Sequence, residues 1–312
     1  MDLYNLGPVT WWESQCFYHA LAALGREGLI ICYPTTPYVC LGLHDDLGQE
    51  IDQEYCRDRG LPLLRRETGG GVVYLDGCQI FFQLVLHRDN PLLPLRRLQF
   101  YEKFLKPAIA VYRSFGLPAE LRAPADIVAD GRKCSGAAAG DIGPCVAYVG
   151  NLLLDFDFYT MSEVLRVPTA IYRRCLYQAM RRNITTLADW MTKAPEYSEL
   201  AIALVTEFAR HLSDLSPRTL DRELAEMAIG LRERLTAIAW LSLPGRKQAR
   251  RKVKIAEGVH LLERRLGGLE SIVVLIREGM AEETLHMGGP GIDSGSFQFT
   301  IGAKGEKISE VS

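Results

Sequence analysis

Apolar residues recur at helical spacing in four stretches of the chain. In the first stretch, Phe17, Ala20, Leu21 and Leu24 stand at positions i, i+3, i+4 and i+7, and Gly25 follows them. This spacing puts the apolar side chains on one helical face, and a glycine after the last of them is typical of a helix end. The pattern predicts a helix over 14–24, and similar periodicity predicts helices over 98–116 (with a kink or restart at Pro107), 200–212 and 224–235.

Shorter apolar runs bounded by Pro and Gly predict buried strands. Residues 29–33 and 38–42 form one such pair, and residues 61–66 and 72–86 flank the glycine run Gly69, Gly70 and Gly71. Asp130 and Gly131 predict a tight hairpin turn between strands 125–128 and 132–135, because these residue types tolerate positive φ angles. Lys133 therefore lies on the return strand, and residues 146–158 predict a further strand region.

The apolar periodicity breaks at residues 244–252, where Pro, Gly and a cluster of Arg and Lys occur. Such a break favours a linker. Beyond it, residues 253–264, 271–276 and 280–285 are strand-like, and the tail after Gly288 is rich in Gly and Ser. We therefore expect an α+β protein with two units. Residues 1–243 should form a mixed, largely antiparallel sheet with flanking helices, and residues 244–312 a small α+β C-terminal domain.

Composition and charge restrict the function. A formal net charge of -2 provides no long-range field for a polyanion, so nucleic acid is not expected as a partner. No apolar run reaches the ~20 residues of a membrane span, and the N-terminus lacks a secretion signal. We therefore expect a cytoplasmic protein that does not enter membranes. The eight cysteines include no C-x-x-C pair, which argues against a zinc knuckle and a disulfide framework.

Two motifs carry the strongest signal. Residues 65–76 read RRETGGGVVYLD, and residues 126–136 read DIVADGRKCSG. Together they resemble the lipoate–protein ligase A family within the biotin and lipoate ligase superfamily, and residues 150–155 and 183–187 extend the resemblance to about residues 11–190. The resemblance implies a catalytic domain like those of biotin ligases and class II synthetases. It also implies use of ATP, Mg²⁺ and lipoate, with a lipoyl-domain or glycine-cleavage-H-like carrier protein as the acceptor.

The resemblance also assigns roles to individual residues. Lys133 is the expected catalytic residue, in contact with the acyl carbonyl and the phosphate, and Arg66 is expected to line the acyl-adenylate site. The glycine run should pack its backbone against the lipoyl chain and phosphate, while Asp126 should help hold the nucleotide and is the candidate Mg²⁺ ligand. The other residues implied in substrate binding are Thr68, Gly69, Gly70, Gly71, Val73, Tyr74, Asp76, Gln79, Ser135, Gly136 and Gly150.

Chemistry gives independent support to these roles. Adenylation builds negative charge on a five-coordinate phosphorus and on the departing pyrophosphate. A fixed ammonium, an arginine fork and Mg²⁺ can each stabilise that charge. Arg65, by contrast, is interpreted as a partner in a surface ion pair.

Three positions depart from the family pattern. Leu75 and Gln79 stand where the family has His and Asn, and Ala125 replaces the asparagine that precedes Asp126. Gln79 can still offer an amide, with one more methylene of reach. These departures indicate a divergent subgroup.

Two other functions remain open. The first is octanoyl or lipoyl transfer through a cysteine thioester, which needs a thiolate beside the lysine. The related transferases have that cysteine where this chain has Thr169, so Cys134 and Cys145 are the alternative nucleophiles. The second is a non-catalytic lipoyl-binding protein. Biotin ligation is disfavoured because its glycine- and arginine-rich adenylate loop is absent, and the sequence leaves open whether lipoate or octanoate is the acid.

Overall fold

The computed structural model of the chain describes residues 1–94, 96–267 and 270–287. A six-stranded mixed sheet lies at the centre of these residues. Strands β1 (Asp2–Val9) and β2 (Gly28–Pro34) run parallel, as do β1 and β12 (Ser216–Pro217), and the remaining neighbours are antiparallel. The expected mixed, largely antiparallel sheet is confirmed. In spatial order its strands are β10 (Ala137–Ile142), β11 (Cys145–Leu153), β6 (Gln79–His87), β2 (Gly28–Pro34), β1 (Asp2–Val9) and β12 (Ser216–Pro217).

Two three-stranded sheets adjoin the central sheet and carry the sequence motifs. One contains β3 (Tyr38–Leu41), β4 (Leu63–Arg65) and β5 (Val73–Leu75), and the other contains β7 (Ala119–Arg122), β8 (Asp126–Ala129) and β9 (Arg132–Ser135). The run 72–86, predicted as one strand, is divided into β5 and β6 by a turn. In that turn the Asp76 carboxylate accepts a hydrogen bond from the backbone N–H of Cys78 at 3.0 Å.

Helices cover both faces of the central sheet, as expected. On one face, α4 (Arg97–Ser114) and α7 (Tyr197–His211) pack over Ile80, Phe82 and Leu84. On the other face, α1 (Glu13–Ala23) packs with α8 (Arg222–Thr236). Helix α4 continues through Pro107 without a restart. In the part of the chain that the structure describes, no helix is both long and apolar enough to cross a bilayer. The helices are α1 (Glu13–Ala23), α2 (Leu47–Glu50), α3 (Gln53–Asp58), α4 (Arg97–Ser114), α5 (Phe158–Val164), α6 (Ala170–Asn183), a 3-10 turn (Leu187–Asp189), α7 (Tyr197–His211), α8 (Arg222–Thr236) and α9 (Ile238–Leu241).

The C-terminal strands form a separate antiparallel sheet that packs on α5 and α6. Its apolar residues share a core with those helices, and the Tyr172 hydroxyl donates to the Leu261 carbonyl at 2.7 Å. Within the described part of 244–287, the regular structure is strand, and the Gly- and Ser-rich tail lies outside the described residues. The strands are β13 (Lys252–Ala256), β14 (Val259–Gly267), β15 (Glu270–Arg277) and β16 (Met280–Met287).

Candidate functional site

A cavity of about 290 Å³ lies where the central sheet, the β8–β9 hairpin, β13 and the loop of residues 69–71 (the glycine loop) meet. Alternation along β6 places Gln79, Phe81 and Gln83 on its cavity side, while the intervening residues face α4 and α7. The sequence motifs therefore converge on one cavity. Of the residues predicted for the site, those that line it are Arg66, Gly70, Gly71, Val73, Tyr74, Gln79, Asp126, Lys133, Gly136 and Gly150.

Four predicted residues have structural contacts beside the cavity instead. Gly69 donates its N–H to the Ala139 carbonyl at 3.1 Å, and the Thr68 carbonyl accepts from the N–H of Leu43. The Ser135 hydroxyl donates to the Asn151 carbonyl at 2.5 Å. Asp76 closes the turn before β6, as described above. These residues shape the walls of the cavity.

The glycine loop is confined between two further glycines that the motif did not reveal. A Cβ on Gly42 would overlap the Gly70 carbonyl, and one on Gly140 would lie 2.8 Å from the Glu67 carbonyl. Gly70 itself has a φ of +89°, a conformation that L side chains rarely adopt. The loop is therefore held in one shape by close backbone packing.

Arg66 organises this loop from within the protein. Its side chain is 5% exposed, and its guanidinium donates to the carbonyls of Gly69, Gly71 and Cys40 at 2.8–3.2 Å. Burial acts to lower the pKa of Arg66, but the side chains of Cys40, Tyr18 and Asp45 act in the opposite direction and hold that pKa above the ordinary value. Arg66 thus lines the cavity mainly as the residue that fixes the glycine loop.

Arg65 is not the surface residue that the sequence suggested. Its side chain is fully buried, and its guanidinium donates to the carbonyls of Leu43, Leu241 and Leu243 at 2.6–3.1 Å. The interpretation as a surface ion pair was wrong, because the side chain is buried and both terminal nitrogens of its guanidinium donate to carbonyl oxygens. Two of these belong to the end of α9 and the residues after it, a contact that only the tertiary structure creates.

Lys133 stands on the β8–β9 hairpin that the sequence predicted. Asp130 and Gly131 adopt positive φ angles of 49° and 70° in the turn, and the register shifts by one residue near Cys134. The Lys133 ammonium lies 2.8 Å from a carboxylate oxygen of Asp126, and its backbone carbonyl accepts from the N–H of Thr185 at 2.8 Å. The lysine is therefore fixed at both its backbone and its charged end.

The C-terminal sheet supplies part of the site, which sequence reasoning missed. The second carboxylate oxygen of Asp126 accepts a hydrogen bond from the Glu257 N–H at 2.7 Å. Lys254 and Glu257 line the cavity beside Asp126 and form an ion pair at 2.5 Å. Nothing in the sequence indicated that Lys254 and Glu257 lie beside Asp126. The only signal was the basic run that precedes these residues.

A second missed residue, Asn151, links the divergent Gln79 to the hairpin. Its amide nitrogen donates to the Gln79 carbonyl oxygen at 2.6 Å, while its oxygen accepts from the N–H of Gly136 at 2.8 Å. The residue before Asn151 must be a glycine, because a Cβ on Gly150 would overlap the Phe82 ring. The Gln79 amide therefore makes a structural bridge rather than a free substrate contact.

The two cysteines nearest Lys133 in sequence are buried. Burial raises the pKa of Cys134 to about 12, and burial also raises the pKa of Cys145. Neither lines the cavity, as far as the described residues define it. Cys40 does line it, and burial raises its pKa as well, although the neighbouring Arg66 acts in the opposite direction.

The charged groups of the cavity include no ready-made metal centre. Among the described residues, no group of three or more His, Cys, Asp or Glu side chains could hold a metal ion. Asp126 is 3% exposed and has each carboxylate oxygen in one contact, which leaves further lone pairs on both. That donor set fits a cation that arrives with a polyphosphate, since Mg²⁺ is commonly held by one or two carboxylates and phosphate oxygens.

Comparison with known proteins matches this arrangement to a described family. The family model of the lipoyl protein ligase A/B catalytic domain matches residues 12–209. Lipoate-protein ligase LplJ of Bacillus subtilis is 25% identical over 166 residues, which cover 53% of this chain and 49% of that protein. The match thus spans about half the length of that ligase. Octanoyltransferase LipM of Moorella thermoacetica is 26% identical over 225 residues, covering 66% of this chain and 82% of that protein.

A solved structure shares the fold at low sequence identity. It is the bipartite lipoate protein ligase of Thermoplasma acidophilum, studied with its E2 lipoyl domain, and it is 22% identical with a TM-score of 0.69. The match covers 80% of this chain and 98% of that one. Because the family model matches residues 12–209, well over half of its length, the chain belongs to the lipoyl protein ligase A/B catalytic-domain family.

Proposed function

We propose that this protein is an ATP-dependent lipoate–protein ligase. It would activate lipoate or octanoate as the acyl-adenylate and transfer the acyl group to a lysine of a lipoyl-carrier domain. The observation that carries the proposal is the placement of Lys133. Its side chain shares one cavity with Gly70 and Gly71, whereas neither cysteine near it in sequence lines that cavity.

In the first half-reaction, a carboxylate oxygen of the acid attacks the α-phosphorus of ATP. The bond from that phosphorus to the bridging oxygen breaks, and pyrophosphate leaves. A hydrogen-bond donor lowers the barrier most when it is already fixed, before the reaction, where the negative charge will develop. Lys133, held by Asp126 and by Thr185, meets that condition.

Asp126 is the proposed protein ligand for Mg²⁺ that enters with ATP. When bound, Mg²⁺ would neutralise charge on the phosphate oxygens. Asp126 would also orient the Lys133 ammonium. Its second carboxylate oxygen accepts from the Glu257 N–H and so connects the ammonium to the C-terminal sheet. Nucleotide and acyl group would therefore meet at the Lys133–Asp126 pair.

In the second half-reaction, the amine nitrogen of an acceptor lysine attacks the carbonyl carbon of the adenylate. The bond from that carbon to the phosphate oxygen breaks, AMP leaves and the amine loses a proton. The acceptor amine must be neutral and within about 3–3.5 Å of the carbonyl carbon. We propose a folded lipoyl or glycine-cleavage-H-like domain, which can present its lysine rigidly. The study of the Thermoplasma ligase with an E2 lipoyl domain supports this class of acceptor.

Octanoyl transfer through a thioester is the second candidate. Two observations support it. The match to LipM covers 82% of that transferase, and Cys40 lines the cavity. The nucleophile in such chemistry is the thiolate. Because burial raises the pKa of Cys40, the thiolate is disfavoured there, and the ligase remains the better-supported proposal.

Lipoate-dependent exchange of pyrophosphate into ATP tests the first half-reaction directly. The purified full chain should catalyse this exchange, and the Cys40→Ser, Cys134→Ser and Cys145→Ser variants should retain it. A non-catalytic binding protein would show lipoate binding without exchange. Acyl transfer from an acyl-carrier protein without ATP, lost in one of the cysteine variants, would overturn the ligase proposal in favour of the transferase.

A further inference from the structure

The positive charges of the cavity differ in how far they are already engaged. Among the cavity-lining residues that the structure describes, the cations are Arg66, Lys133 and Lys254. The Arg66 guanidinium donates to carbonyls of the glycine loop, and the Lys133 ammonium is paired with Asp126. A nucleoside triphosphate carries several negative charges, which lysines commonly meet as point charges. Lys254 is the remaining cation of this set.

Lys254 is linked to the Lys133–Asp126 pair through a chain of polar contacts. The Lys133 ammonium lies 2.8 Å from one carboxylate oxygen of Asp126, and the other oxygen accepts from the Glu257 N–H at 2.7 Å. The Glu257 carboxylate lies 2.5 Å from the Lys254 ammonium. Asp126 therefore stands between the two lysines in this chain, and a nucleotide held at Asp126 would have a cation on either side.

The strand that carries Lys254 is fastened to the catalytic residues just before it begins. The Arg251 guanidinium lies 2.6 Å from the Glu50 carboxylate, and both side chains are largely buried. Gln49 exchanges two hydrogen bonds with the backbone of Gln248, at 2.6 and 2.8 Å. These contacts join the start of β13 to α2, so the backbone of Lys254 is held beside the cavity.

The ion pair between Lys254 and Glu257 is exchangeable. The Lys254 side chain is 50% exposed and that of Glu257 is 22% exposed. Such an ion pair contributes little to stability, because water screens it and both side chains lose freedom in forming it. A phosphate oxygen can therefore replace the Glu257 carboxylate as the partner of Lys254 at little cost.

We infer that Lys254 binds the β- and γ-phosphates of ATP, the part that leaves as pyrophosphate, and that Glu257 holds the lysine when no nucleotide is bound. This inference rests on the proposed function, because it takes the nucleotide to bind at the Lys133–Asp126 pair. The α-phosphate remains in the adenylate and is assigned to Lys133. Lys254 should therefore distinguish ATP from AMP.

Calorimetry on the full-length protein tests this distinction without turnover. ATP and AMP are titrated separately in the same magnesium buffer, with no acid present, so that no adenylate forms. Lys254→Gln should weaken ATP binding about tenfold and leave AMP binding within about twofold of the wild type, because AMP lacks the two phosphates. Lys254→Arg should retain most of the ATP affinity, since the positive charge is kept.

Two further variants complete the comparison. Lys252→Gln is the matched control, because Lys252 lies on the same strand and is not among the cavity-lining residues. Its affinities for ATP and AMP should match those of the wild type. Glu257→Gln removes the competing carboxylate and leaves the backbone N–H that binds Asp126, so it should tighten ATP binding.

Three results would overturn the inference. Unchanged ATP affinity in Lys254→Gln would show that this lysine does not meet the phosphates. Equal losses of ATP and AMP affinity would show that it acts on the site as a whole, and an equal loss of ATP affinity in Lys252→Gln would indicate a general charge effect. Failure of the wild-type protein to bind ATP would instead contradict the proposed function, and the inference with it.

Discussion

Two adjacent arginines illustrate how far residue type alone can be interpreted. The sequence indicated a site role for Arg66 and a surface role for Arg65, yet both are buried and both donate to backbone carbonyls. Their partners are loop and helix-end carbonyls that come together only in the folded chain. A motif therefore identifies the position of a site, whereas the task of each charge depends on contacts that the sequence does not display.

Lys133→Ala should reduce the rate of lipoate-dependent pyrophosphate exchange by about 10²–10³-fold. This is the loss typical of removing one preorganised donor, about 2.7–4 kcal/mol of transition-state stabilisation. Arg132→Ala is the matched control, because Arg132 is the neighbouring cation and does not line the cavity as described. Similar losses in both variants would indicate a general electrostatic effect instead.

Gly71→Val should abolish acid binding while leaving the unfolding midpoint nearly unchanged. A Cβ at Gly71 meets nothing within 4 Å, so the added side chain would project into space that the ligand needs. Gly70 is a poorer test, because its φ of +89° and a Cβ contact of 2.8 Å to Arg66 would strain the loop. Gly230→Val, at a position on α8 with similar open space, is the control. Unchanged acid affinity in Gly71→Val, measured by calorimetry, would count against the pocket.

His19 should make the stability of the fold pH-dependent. It is fully buried, its Nε2 accepts from the Glu67 N–H before the glycine loop, and burial lowers its pKa from 6.5 to about 4. The unfolded chain therefore binds a proton below pH 6.5 that the folded chain resists until about pH 4. Stability is fully present above pH 6.5 and should fall by about 2–3 kcal/mol as the pH drops through this window.

Comparison with His19→Gln isolates this contribution. Glu67, Arg66 and Arg234 influence the imidazole, and the carboxyls of Asp45, Glu50 and Asp76, whose pKa values are raised, titrate at low pH in both proteins. The difference between the two unfolding free energies, measured by denaturant titration at pH 7 and pH 5, removes those shared terms. An identical pH dependence in both proteins would exclude His19 as its source.

At the scale of elements, sequence patterns predicted a helix or turn correctly where the residues that cause it lie within that same element. The α1 periodicity and the Asp130-Gly131 turn need no distant partner, and both are confirmed. The confinement of the glycine loop by Gly42 and Gly140 depends on three segments meeting in space. It could not be predicted from one sequence, because a lone glycine in a strand has several possible causes.

Tyr112 should be an essential cross-link between the strands of the site. Its hydroxyl donates to the Cys134 carbonyl and accepts from the Leu153 N–H, which connects β9 with β11. Tyr112→Phe would leave two buried backbone groups unpaired and should lower the free energy of unfolding by about 1–3 kcal/mol. Tyr148→Phe is the control, because Tyr148 is equally buried and its hydroxyl has no partner among the described residues. Equal losses in denaturant titrations of the two variants would refute the cross-link.

At the scale of the whole molecule, the cavity is assembled from parts that are distant in sequence. The glycine loop, the hairpin and the C-terminal sheet each contribute, and the Glu257 N–H connects the last of these to Asp126. We propose that residues 244–312 act as an accessory unit to the catalytic residues 1–243, with β13 closing one side of the site. The break in periodicity at 244–252 predicted a linker, but gave no sign that the strands after it line the cavity.

We propose that ATP, rather than a protein thioester, drives the acylation. The most direct test of this proposal is the intact mass of a folded lipoyl domain after incubation with the protein and lipoate, with and without ATP. We predict that the domain gains one lipoyl group only when ATP is present, and that Lys133→Ala prevents the gain while Cys40→Ser does not. Mass gain from an octanoyl-loaded acyl-carrier protein in the absence of ATP, lost in Cys40→Ser, would contradict this account.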